Sequence, residues 1–181
     1  FRDSLALKRQ IGHRAGTVIP LTNLGILGRV QRRWEPARND LEEALTLCRE
    51  LKRAPMEGIV LFQLGCLDLA AGQPQAAQRR FQAAAEIHQR LQDAPGMAQD
   101  LAGRAEAMMK TGAASPQALA LLKEAREKAP ENPFLLRAEA CALALRGDPN
   151  QARLRLQQAL TLAARTAPEE VPELRSRLES L

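Results

Sequence analysis

The chain repeats itself at a spacing of forty residues, and this constrains its fold more than any single motif. Thr22-Asn23-Leu24-Gly25 returns as Phe62-Gln63-Leu64-Gly65. The same shift aligns Phe1 with Leu41 and Phe81, Ser4 with Ala44 and Ala84, Ile11 with Leu51 and Leu91, and Leu21 with Leu61 and Leu101. Self-similarity at a fixed period of roughly 20 to 50 residues marks stacked supersecondary units, each of which buries its apolar face only against its neighbours. Such a stack offers an extended surface, which points to binding.

The spacing inside each unit specifies it further. Leu64-Gly65 is followed by Gly72 at a turn and then by Ala77, Phe81 and Ala84; Ala140 is followed by Gly147, Ala152, Leu156 and Ala159. Small residues recur once on the first helix of each pair (Gly25, Gly65, Ala105, Ala140) and once early on the second (Ala37, Ala77, Ala118, Ala152). Two helices joined by a short turn cross closely only if both are small where they touch, and Leu41, Phe81, Leu122 and Leu156 then fill the space beside the crossing. Gly65 is accordingly expected to be a contact glycine, with Ala105 in the aligned place suggesting that one methyl is tolerated.

This pattern, with Pro130 closing the third unit, resembles the tetratricopeptide repeat over nearly the whole chain. The long period and the hinges Gly12-His13-Arg14-Ala15, Lys52-Arg53-Ala54-Pro55 and Gln92-Asp93-Ala94-Pro95 resemble the subgroup found in kinesin light chains and bacterial signalling ATPases. The resemblance implies an all-α, right-handed superhelical solenoid of antiparallel helix pairs. The expected division is the second helix of a truncated repeat (1–14), repeats at 15–54, 55–94, 95–131 and 132–166, and a capping helix at 167–181. Phe1 aligns to the middle of a second helix, so the chain is expected to be a segment of a longer protein. Thr17 is expected to cap the helix that follows it with Pro20 in its first turn, Gly72 to end one helix and Pro74 to open the next, and the connection 111–115 to be longer than the others. In the cap, Leu174, Leu178 and Leu181 share one side.

Composition narrows the function classes. Aromatics make up 3% of the residues and tyrosine is absent, so the core is aliphatic and alanine-rich. Residues 1–90 hold fourteen Lys and Arg against nine Asp and Glu, whereas 91–181 hold twelve of each; an acidic partner is therefore expected toward the N-terminal end. Arg29, Arg32, Arg33, Arg38, Arg79 and Arg80 form a solvated basic face, but the scarcity of rings able to stack bases argues against nucleic acid. Cys48, Cys66 and Cys141 have no CxxC spacing and read as small buried hydrophobes in a reducing, cytoplasmic setting. No stretch has the roughly twenty apolar residues of a membrane span. His13 falls in a connection and His88 on a partly covered helix face, no nucleophile elbow, phosphate loop or metal cluster is present, and neither catalysis nor a cofactor is expected.

The resemblance places the first helix of each unit on the concave side. The candidate ligand contacts are then Ile19, Thr22, Asn23, Ile26 and Arg29; Ile59, Phe62, Gln63, Cys66 and Leu69; Gln99, Ala102, Glu106 and Met109; and Arg137 and Cys141. Members of the family that grip an extended peptide place an asparagine before the Leu-Gly step; Asn23 fits, Gln63 is longer and Gly103 lacks the group, while the two-lysine clamp for a C-terminal carboxylate is missing. The expected function is a non-catalytic scaffold that binds a peptide or helix with apolar residues and an acidic group, Ile26, Phe62, Cys66 and Leu69 forming the centre and Arg29 the rim. The alternative is a sensor or self-association segment of a larger signalling ATPase, kinase or transcription regulator. Self-association is expected at the N-terminal end, where Phe1 and Leu5 lack a covering unit.

Overall fold

Seventeen-residue helices joined by three-residue turns build the first half of the molecule. The computed structural model describes residues 1–112 and 114–181, with every side chain among them except those of Arg2 and Ser4. The helices are α1 (Arg2–Gln10), α2 (Arg14–Val30), α3 (Trp34–Glu50), α4 (Ala54–Ala70), α5 (Pro74–Arg90), α6 (Ala94–Met109), α7 (Pro116–Lys128), α8 (Pro133–Leu145), α9 (Pro149–Thr166) and α10 (Val171–Glu179), with a 3-10 turn at Pro168–Glu170 before α10. Helices begin at 14, 34, 54, 74 and 94, so the forty-residue repeat in the sequence is two identical steps of twenty.

Each step is closed by the same backbone device. One residue turns left-handed (Gly12, Arg32, Lys52, Gly72 and Gln92, with φ of 66°, 57°, 52°, 76° and 56°). The next N–H then bonds the carbonyl five residues back: His13 to Lys8, Arg33 to Gly28, Arg53 to Cys48, Gln73 to Asp68 and Asp93 to His88, at 2.8–2.9 Å. This satisfies the orphan carbonyls of a helix end and reverses the chain within three residues. Because the first turn is complete at His13, α2 starts at Arg14 and Thr17 does not cap it; the Thr17 hydroxyl donates instead to the Arg14 carbonyl at 2.6 Å. Pro20 consequently sits inside α2 and not in its first turn.

From α6 onward side chains take over as helix starts. Asp93, Ser115 and Asp148 accept from the amides of Gly96, Ala118 and Gln151, and Asn132 accepts from Phe134 and Leu135. Proline follows each cap at the first or second helical position, where its missing N–H costs nothing. Ala113, in the connection expected to be longer, lies outside the described residues. α7 and α8 shorten to 13 residues each.

The helices pair as α2/α3, α4/α5, α6/α7 and α8/α9, and α2, α4, α6 and α8 also touch one another along the inner face. Small-into-large packing sets the crossings. A Cβ on Gly25 would lie 2.4 Å from Leu41 Cγ, and Cβ atoms on Gly65 and Gly103 would lie 2.6 and 2.7 Å from Phe81 Cε1. Phe81 is fully buried between the two glycines, so the expectation that Gly65 tolerates a methyl is corrected: the ring has no side to which it can retreat. Arg38 pairs with Asp68 at 2.7 Å, and Arg80 bridges Glu42 and Asp68, so part of the arginine face is spent within the fold.

The two ends also depart from expectation. Leu5 is buried although Phe1, Leu7 and Ile11 stand exposed, so the uncovered N-terminal face is narrower than the sequence suggested. At the other end Leu174 is buried and Leu178 half-buried in a small cluster with Ala140, Leu156 and Ala163, but Leu181 is exposed. The 3-10 turn reaches back to touch α2 in the first unit. Among the described residues no helix is long and apolar enough to cross a membrane.

Candidate functional site

The inner face formed by α2, α4, α6 and α8 has a covered zone and an open one. The covered zone lies at the C-terminal ends of α2, α4 and α6, where the segment Pro168–Glu179 crosses it. Glu170 is the pivot. Its Oε1 accepts from Arg29 Nη2, 141 residues earlier, at 2.6 Å and its Oε2 accepts from Arg137 Nη1, linking α2 to α8. Arg137 Nε donates to Glu106 Oε2 at 2.9 Å, and Arg177 Nη1 of α10 lies 2.6 Å from Glu106 Oε1. Arg29, Glu106, Arg137 and Glu170 are all at least 93% buried.

The electrostatics follow from that burial. Desolvation alone would raise the Glu106 carboxyl, but the guanidinium groups of Arg137 and Arg177 hold it at about 2. Burial opposes the charge of Arg137, and Glu106 and Glu170 more than restore it. Burial pushes the Cys66 thiol up to about 12, so it stays neutral and is no nucleophile. The Arg137 guanidinium also lies 5.2 Å from the Phe134 ring centroid, and Phe134 meets Phe62 edge-on at 4.9 Å.

Of the residues singled out in the sequence, Thr22, Arg29, Phe62, Gln63, Cys66, Glu106, Met109 and Arg137 are buried in the chain itself. Arg29 is therefore no rim charge, because Glu170 already neutralises it under the C-terminal segment. Phe62 likewise packs between Phe81 and Phe134 and presents 3% of its surface. Ala102 is buried and Cys141 partly so. Thr22 spends its hydroxyl on the Val18 carbonyl at 2.8 Å. The open zone consists of Ile19 and Ile59, exposed by 57% and 44%, together with half-buried Asn23, Ile26, Leu69 and Gln99. A cavity of about 370 Å³ opens beside the covered zone, lined by Arg29, Arg32, Trp34, Leu69, Lys110 and Glu173 among others.

Two features escaped the sequence reading. Glu170 looked like an ordinary acidic residue in a helix's first turn, and only the return of the chain aligns it with Arg29 and Arg137. His88 was read as partly covered, yet it is buried with Nδ1 2.6 Å from Asp100 Oδ2 and Asp93 at 4.0 Å. Gly58 and Gly96 make the room: a Cβ on either would come within 2.9 Å of the imidazole. Their small size at that level of α4 and α6 was the available signal. Among the described residues no three His, Cys, Asp or Glu side chains converge as a metal site would require.

Stacked helix pairs with an inner face built from the first helix of each pair define a helical-repeat protein. The tetratricopeptide repeat family model matches residues 16–90, which hold α2 to α5, and over that stretch the chain is similar to tetratricopeptide repeats. Repeats of this family are protein–protein interaction scaffolds and are generally non-catalytic. No curated protein matches the chain.

Proposed function

We propose that the chain holds a partner polypeptide on the open zone of its inner face, across the first two units. The observation that carries this is the pair Ile19 and Ile59. They occupy equivalent positions forty residues apart on α2 and α4, and both remain exposed there, by 57% and 44%. Apolar side chains at a regular step provide the desolvated centre of an interface, and Asn23 and Gln99 beside them supply polar groups for orientation. The excess of positive charge in residues 1–90 favours an acidic partner and its rate of association. The unpaired thiols Cys48, Cys66 and Cys141 fit a reducing, cytoplasmic setting. In the second reading, as a sensor within a larger signalling protein, the same zone takes a domain of its own polypeptide; exposed Phe1, Leu7 and Ile11 at the N-terminal end favour a covering neighbour there.

A photoreactive residue placed at Ile59 in the intact protein should cross-link a polypeptide that one at Arg79, exposed on α5, does not. Adding Ile19→Glu should abolish that cross-link. Equal cross-linking from both positions would overturn the reading.

A further inference from the structure

We infer that the cleft between α7 and α9 is a second binding site, and that it takes a small amphipathic anion: an aliphatic chain seated on Leu119, Leu122 and Leu143, with a carboxylate between Lys123 and Arg146. α7 and α9 are the second helices of their pairs, so the site is separate from the inner face and from the partner proposed there.

The cleft exists because the stack changes at this seam. Lys52 and Gln92 turn left-handed and fold α3 onto α4 and α5 onto α6, but Ala129, at the end of α7, is extended with φ −153°. α7 consequently packs only lightly on α8, and both helices are shorter than those before them. The gap this leaves is a cavity of about 310 Å³, open to solvent, with Ala142 of α8 at its base.

Its charges are arranged unlike those of the earlier seams. Arg9 of α1 pairs with Glu43 of α3, and Arg80 of α5 pairs with Glu42 of α3, so opposite charges close those seams. Here α7 and α9 both present arginine, and both arginines reach one carboxylate beneath them. Glu139 of α8, buried, accepts from Arg126 Nε at 2.9 Å and lies 3.5 Å from Arg155 Nε. Like charges facing one another cannot close the seam. Lys123 and Arg146 add two exposed cations that form no ion pair among the described residues. Four cations thus surround one anion, and α9 carries no acidic residue along its length.

These features select the ligand. Leu119, Leu122, Ala142 and Leu143 lie inside helices, whose backbone groups already bond one another, so the floor offers an extended peptide no partners. The volume is near the lower end of the roughly 300–1,000 Å³ of small-molecule sites, which suits a single aliphatic chain. Lys123 and Arg146 then supply charge-assisted hydrogen bonds to an anionic head. Glu139 does not oppose that head, because Arg126 and Arg155 already neutralise it.

Decanoate is the probe. Calorimetric titration below its micellar range should show saturable binding to the full chain, roughly tenfold tighter than decanol or decyltrimethylammonium. Lys123→Gln/Arg146→Gln changes two exposed side chains that hold no ion pair, so the fold is kept, and it should bring decanoate to the affinity of decanol. In the natural chain, amide chemical-shift changes should fall within 119–155 and not on α2 or α4. No binding of decanoate, equal binding of decanoate and decanol, or unchanged affinity in the double variant would each overturn the assignment, as would shifts centred on the inner face. An acidic, leucine-containing peptide that displaces decanoate and binds more tightly would make the occupant a protein partner and overturn the small-ligand assignment.

Discussion

Phe81 shows how much one side chain fixes at the crossing of two units. Its ring is held by Gly65 from α4 and Gly103 from α6, each too close for a Cβ. Gly65→Ala should therefore destabilise the chain by about 1–3 kcal/mol in urea unfolding, despite the better helix propensity of alanine; a neutral or stabilised variant would show that the ring moves. The His88–Asp100 pair makes a second residue-scale prediction. Its hydrogen bond to Asp100 raises His88, and burial raises Asp100 to about 6 against the opposing pull of His88. Both folded values exceed the ordinary ones, so the folded state binds more protons. The pair's contribution is present at low pH and is lost as pH rises through the folded values. The stability difference between the natural chain and His88→Gln/Asp100→Asn should thus shift against the natural chain as pH rises through about 6, the folded Asp100 value, and past the ordinary histidine value. A difference that is flat or grows with pH would contradict the assignment.

At the scale of elements, the turns are the shared part and their residues are not. Gly12 and Gly72 adopt the left-handed conformation freely, but Arg32, Lys52 and Gln92 adopt it against their Cβ. That conformation costs an ordinary residue about 1–2 kcal/mol, and glycine gives back part of the gain through unfolded-state entropy. Lys52→Gly and Gln92→Gly should each stabilise by about 0.5–1 kcal/mol, and Gly72→Lys should lose a similar amount, all readable as shifts in urea midpoint. The sequence made the turns at Gly12 and Gly72 legible because glycine advertises its φ. It also placed hinges at Lys52 and Gln92 but not their left-handed backbone, which the packing of the flanking helices imposes on residues that do not prefer it. Thr17 misled for a related reason: a hydroxyl near a helix start is a cap only if the helix starts there, and the turn at Gly12 had already started it.

On the scale of the whole molecule, one carboxylate ties the first unit to the last. Breaking a buried pair by neutralising one partner typically costs about 3–5 kcal/mol when the remaining charge stays dry. Glu106→Gln should cost about that much, because the fully buried carboxylate is shared by Arg137 and Arg177. Glu170→Gln should cost as much, since Glu170 is the carboxylate that Arg29 pairs with among the described residues and Arg29 is itself buried. A neutral variant in urea unfolding would show that Arg29 and Arg137 reach water without it. Acid acts on the same network: Glu106, held at about 2, contributes stability that is present above its ordinary value and is lost as pH falls toward 2.

The sequence by itself determined the helix pairs, their forty-residue step and the identity of the small residues at each crossing, because periodicity and turn chemistry are local and repeat in register. It also placed Ile19 and Ile59 on the inner face, where the structure leaves them exposed. What it could not determine was which inner-face residues stay free. Arg29, Phe62, Cys66 and Arg137 had the right positions, yet Phe134 from the fourth unit and Glu170 beyond it cover them. That outcome depends on contacts between residues 72 and 141 places apart. It follows from how far the stack curves and where the chain returns, and those are properties of the assembled structure.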